Sequence, residues 1–167
     1  QSGNWEWAFE HRTLVNGTGE FSVTTGLSIG MNSDFYLTGE FSGETDFGGD
    51  AINVSTRQVY VASYDLFSGA LNWVESGGGI GTNRVYDLAT TANGGVKLAT
   101  ITDGFSQWDS NLYSAKGTID SVIVEFDVGG TVQSLTGFGS ANQQTFVLNV
   151  FTDFNGFFLF GLVEIGL

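Results

Sequence analysis

The chain repeats itself, and the period of the repeat limits what it can fold into. Three segments align: "GLSIGMNSDFYLTG" (26–39), "DLATTANGGVKLAT" (87–100) and "NVFTDFNGFFLFG" (149–161). Asn32, Asn93 and Asn155 mark the same point in each, 61 and 62 residues apart. A second landmark agrees. "ASYD" ends at Asp65 and "VEFD" at Asp127, 62 residues apart. Two landmarks at one period describe a unit that buries its faces against copies of itself.

Within each unit, alternation and turn chemistry predict four strands. In the first unit they fall at 21–29, 34–42, 57–65 and 70–76. In the second they fall at 84–92, 95–102, 119–127 and 131–138. "DSVIVEFD" shows the pattern, with Val122, Val124 and Phe126 on one face and Ser121, Ile123 and Glu125 on the other. The tight turns "MNSD", "ANGG", "DFNG" and "DVGG" carry residues that tolerate positive φ. The connections at 43–56 and 103–118 are rich in Gly, Ser, Asp and Asn, so each is expected to be a loop or an extended hairpin. No segment has helical periodicity with caps. A four-stranded antiparallel unit repeated at this spacing is a propeller blade.

The repeat is out of phase with the chain. "SGNWEW" (2–7) matches "SGALNW" (68–73) at the start of a fourth strand. The expected order is therefore a fourth strand (1–12), unit 1 (21–78), unit 2 (84–139), and then first and second strands at 145–167. The third strand of the split unit, due one period after Asp127, falls beyond Leu167. The expected fold class is all-β, with about two and a half antiparallel four-stranded blade-like repeats in an open array rather than a closed ring. The alternative is a ten-strand β-sandwich or barrel, made by folding the first strand back onto the last two.

These residues resemble the SBBP-type β-propeller repeat proteins, common among secreted proteins of Bacteroidetes-like bacteria. The resemblance is carried by "DFYLTGEFSGETDFGG" (34–49), "VYVASYD" (59–65), "SGALNW" (68–73) and "SGNWEWAF" (2–9). The first unit matches closely and the second loosely. Ser134 or Leu135 stands where the family has Trp, and "SQWDSNLYSAK" replaces the Asp-Phe-Gly loop. The resemblance implies an exported, surface or matrix protein with a non-catalytic propeller.

Composition narrows the function. The net charge is −13, from 18 acids against 5 bases. Nucleic acid and anionic membrane surfaces, which need Lys and Arg, are poor partners for such a chain. The acids give either a solvated acidic exterior or scattered calcium sites. With no Cys, disulfides are excluded. Gln1 in place of an initiator Met fits a chain processed on export. "GFFLFGLVEIGL" (156–167) is shorter than the roughly 20 apolar residues of a spanning helix. It is expected to be a buried strand, with no membrane span.

Candidate chemistry is sparse. His11 is the one histidine, and no Gly-x-Ser-x-Gly elbow accompanies it. Glu40 with Glu44, or Glu125 with Asp127, could form an acid pair of glycosidase type, or be solvated strand and loop acids. Glu44, Asp46 and Asp50 in "GETDFGGD" are oxygen ligands spaced with Gly, as calcium requires, although the twelve-residue loop pattern is absent. Asp103 and Asp109 in "TDGFSQWD" are a weaker version. "SGGGIG" lacks the Lys and helix of a phosphate cradle and is expected to be an inter-blade turn. Trp5 and Trp108 are candidate sugar-stacking aromatics, and Trp7 and Trp73 core residues. "NGT" (16–18) and "NVS" (53–55) match the N-glycosylation pattern, and "DSV" (120–122) a short bacterial O-glycosylation motif.

No enzyme is expected. The favoured expectation is a non-catalytic extracellular structural protein that associates with itself through its split unit into a filament or ring. Its interface residues would be Trp5, Trp7 and Phe9 at one end and Phe157, Phe158, Leu159, Phe160, Leu162 and Val163 at the other. The alternative is a carbohydrate-binding, adhesive surface module whose partner is polysaccharide. No cofactor is required, calcium at Glu44, Asp46 and Asp50 being optional.

Overall fold

The computed structural model describes residues 8, 10–14, 19–153 and 156–165. Trp5, Trp7, Phe9 and most of the expected fourth strand at 1–12 lie outside them. The described elements are all β. They run β1 (Arg12–Thr13), β2 (Phe21–Ile29), β3 (Asp34–Asp46), β4 (Ala51–Asp65), β5 (Leu71–Gly77), β6 (Asn83–Thr90), β7 (Val96–Thr102), β8 (Phe105–Trp108), β9 (Asn111–Ser114), β10 (Asp120–Phe126), β11 (Val132–Phe138), β12 (Gln143–Asp153) and β13 (Gly156–Ile165).

The strands form open antiparallel sheets in chain order. Blade 1 is β2-β3-β4-β5, blade 2 is β6-β7-β10-β11, and the third sheet is β12-β13. Arg12 and Thr13 of β1 pair with Asp46 and Thr45 at the far end of β3. Among the described residues no strand joins β13 back to the first blade, so there is no closed sandwich or barrel. The 43–56 connection is an extended hairpin, because β3 and β4 continue to Asp46 and Ala51. The equivalent stretch of blade 2 folds instead into a separate small hairpin, β8-β9.

The second landmark has a structural cause. Asp65 Oδ1 accepts from the backbone N–H of Phe67 and Ser68 and from the Ser68 hydroxyl. Asp127 Oδ1 accepts from the N–H of Gly129 and Thr131. Each carboxylate holds the turn between the third and fourth strands of its blade, as short acidic side chains do in tight turns.

The period also governs packing. Successive strand residues point to opposite faces, and the middle strands of a blade are buried on both. Val59 and Val61 of blade 1 face forward onto Val96, Leu98, Val122, Val124 and Phe126 of blade 2 in one buried cluster. The backward face of blade 1 carries Phe35, Leu37, Tyr60, Ala62 and Tyr64, each 61 or 62 residues before its blade 2 equivalent. Ala99 and Ile123 face forward onto Val147 and Val150 of the third sheet. Each Val, Leu, Ile or Phe side chain so removed from water stabilises the stack by about 1.5–3 kcal/mol.

The first strands carry the same signature. Each has a β-bulge at the equivalent place: Thr24/Gly26, Val85/Asp87 and Val147/Asn149. The pairs that follow also correspond: Leu27 with Leu37, Leu88 with Leu98, and Val150 with Leu159. Inter-sheet hydrogen bonds recur as well. Thr90 Oγ1 donates to the Ile29 carbonyl, and Thr152 Oγ1 donates to the Thr90 carbonyl.

Candidate assembly surfaces

Among the described residues, two surfaces of this stack stand without a neighbouring strand or sheet. The first is the outer edge of β13. Its inner edge pairs with β12 from Gln143–Ile165 to Asp153–Gly156, and no described strand lies on the outer edge, where a blade would place its third strand. The second is the inner strip of the backward face of blade 1. Leu88 and Val150, 5% and 2% exposed, pack on the sheet before them. Leu27 holds the same position and is 61% exposed.

The outer half of that backward face is occupied. His11 Nε2 lies 2.7 Å from the Tyr64 hydroxyl and Nδ1 3.2 Å from the Tyr60 hydroxyl. Tyr64 donates to the Phe47 carbonyl at 2.8 Å. Its proton being used there, Nε2 carries the hydrogen that His11 donates, and Nδ1 accepts from Tyr60. Thr24 Oγ1 closes the chain at 2.6 Å from the Tyr60 hydroxyl. Burial lowers the His11 pKa, with Asp46 pulling the other way, and raises that of Tyr60 to about 12. His11 is thus a half-buried group hydrogen-bonded to two tyrosines of blade 1.

Several of the candidate acids are held by bases or by backbone N–H groups. Glu40 pairs with Arg57 Nε at 3.2 Å, and that guanidinium lies over the Phe21 ring. Glu125 Oε2 lies 2.5 Å from Lys97 Nζ and accepts from Ser134. Glu44 stands opposite Asn53 in the β3-β4 ladder. Asp46 Oδ1 accepts from the N–H of Gly48 and Gly49 and so shapes the hairpin tip, with Asp50 at its far side bonded through its carbonyl to the Phe47 N–H. Among the described residues no group of three or more His, Cys, Asp or Glu is placed to hold a metal ion. Asp103 accepts from the Thr82 N–H at 2.6 Å. Asp109 lies near Glu75, whose pKa burial raises and Asp109 raises further, in a shallow cleft beside the Gly129–Gly130 turn.

Two readings of exposed groups, at Trp108 and at Ser121, are corrected. Trp108 is 1% exposed. It lies under β5, where a Cβ on Gly77 would come within 2.1 Å of its ring, so no sugar can stack on it. Ser121 of the O-glycosylation motif is buried, donating to the Thr145 carbonyl and accepting from the Val147 N–H. In "SGGGIG", Gly77 lies against the Trp108 ring and Gly78 exchanges backbone hydrogen bonds with Gln107 of β8, a junction between blades. Trp73 is half-buried, and its indole donates to the Val128 carbonyl at 2.8 Å. Of the expected interface residues, Leu159 packs inside the chain against blade 2. The side chains of Phe157, Phe158, Phe160, Leu162 and Val163 lie outside the described residues. So does the 16–18 sequon, while Asn53 stands on β4.

Sequence reasoning missed the polar ties between sheets. Asp87 Oδ2 accepts from the Val150 N–H at 2.9 Å and from Asn149 Nδ2 at 3.4 Å. Asp120, fully buried, accepts from the Tyr113 hydroxyl and from the N–H of Lys116 and Gly117. Asp87 lies within β6 and Asp120 at the start of β10, and in the sequence neither is distinguishable from a solvated acid. Among the described residues no helix is long and apolar enough to cross a membrane. Comparison with known proteins found no matching family model and no matching curated protein.

Proposed function

We propose that the chain is a non-catalytic extracellular structural protein whose copies join into a filament or ring. The observation that carries this reading is the outer edge of β13, ten residues long and, among the described residues, paired on one side only. A strand edge presents a row of backbone donors and acceptors that another strand can satisfy. Each bond so made adds about 1 kcal/mol net, and the apolar side chains it covers add more. A strand supplied by a second copy makes a head-to-tail contact, closing into a ring or continuing as a fibre. The fibre is favoured, since nothing in the sequence guarantees closure.

The extracellular assignment rests on the resemblance of the first unit to SBBP-type repeats. The structural assignment gains support from the acids, whose bonds to turns, to bases and to neighbouring sheets give them architectural work. Light scattering across a concentration series, with electron microscopy of the same samples, tests the proposal. Mass that grows with concentration, and visible rings or fibres, is the expected result. A chain that stays monomeric at the highest concentration overturns it.

A further inference from the structure

We infer that the inner strip of the backward face of blade 1 receives the forward face of the third sheet of a second copy, extending the stack between chains. This deepens the proposed self-association and names a contact distinct from the β13 edge. It rests on repeat equivalence. The chain makes the same junction twice within itself: Val85 and Leu88 of β6 pack on the forward face of blade 1, and Val147 and Val150 of β12 on that of blade 2. In blade 1 the corresponding residues are Thr24 and Leu27, both exposed, with no sheet before them among the described residues. The mate for this surface stands at the other end. Phe151 is the equivalent of Ala89, which packs between blade 2 and the third sheet, and it is 57% exposed. Leu148, the equivalent of Tyr86, is also exposed.

The occupant is a second copy because the surface that fits Leu27 is one this chain presents itself. Apolar first-strand residues meet an apolar forward face at a spacing already used twice. The two surfaces differ, so the contact is heterologous and propagates. A chain of net charge −13 repels its copies, so added salt strengthens this contact by screening while leaving the apolar contact intact.

The test uses the whole chain and two exposed positions. Light scattering of the parent is expected to show mass rising with concentration and with sodium chloride. Leu27→Asp and Phe151→Asp are each expected to remain monomeric with the parent's circular dichroism. Mixed in equal amounts, they pair through the one intact surface each retains and stop at the dimer. Should either Asp variant lose the parent spectrum, Leu27→Ser and Phe151→Ser give the same reading. Variants that assemble as the parent does overturn the inference. Hydrogen exchange separates it from strand addition. Alternate β13 amides protected on assembly, with the variants still assembling, leaves strand addition standing and removes face stacking. Loss of assembly in the variants, with β13 amides unchanged between monomer and assembled parent, does the reverse. A parent that never associates removes both.

Discussion

The carboxylate of Asp87 crosses from blade 2 to the third sheet and accepts the backbone N–H of Val150 at 2.9 Å. Val150 is buried, so this bond satisfies a backbone donor away from water, just past the bulge of β12. Asp87→Ala strands that N–H away from water and is expected to cost about 1–3 kcal/mol. Asp87→Asn, which keeps an acceptor, should cost less. Denaturant unfolding of the two variants checks the order.

Repeat equivalence makes a sharper prediction. Leu88→Ala removes a side chain packed between two blades and is expected to cost about 2–5 kcal/mol. Leu27→Ala, at the same position one period earlier, should change the stability of the dilute monomer by less than about 0.5 kcal/mol. Equal costs at the two sites would show that Leu27 is already covered.

Gly77 lies so close to the Trp108 ring that a methyl group cannot enter without displacing it. Gly77→Ala is expected to destabilise by about 1–3 kcal/mol through overpacking. Trp108→Leu should cost as much alone, by leaving a cavity. The double variant should cost less than the sum, and a thermodynamic cycle on the four proteins measures the difference.

His11 makes stability depend on pH. Burial holds its pKa below the ordinary 6.5. The unfolded chain therefore takes up a proton before the folded one does, and stability falls as pH drops below about 6.5. The loss levels off once folded His11 also protonates. Above pH 6.5 the contribution is fully present. Urea midpoints of the parent between pH 5 and 8 should show this slope, and His11→Gln should flatten it.

Much of the fold could be read from the residues because the same physics is written two to three times. The strand at 21–29 is found at those bounds, and those at 84–92, 95–102, 119–127 and 131–138 within two residues of them. The Asp65 and Asp127 landmark is legible because a turn demands a short acceptor at one place. What escaped depended on partners distant in sequence. Glu40 looks like a free acid until Arg57 is seen beside it, and Glu125 until Lys97 is. Trp108 sits among Ser, Gln and Asp, and only the fold places β5 over it. The open surface at Leu27 needs the alignment and the packing together, since a lone leucine on a strand says nothing about which neighbour is missing.

The threonine bonds between sheets give the molecule a polarity. Thr152 gives its hydrogen to Thr90, and Thr90 gives its own to Ile29, so the donor always belongs to the later sheet. A column built on that rule has an arrowhead and a tail. Its two tips differ chemically, would lengthen at different speeds, and could be blocked one at a time.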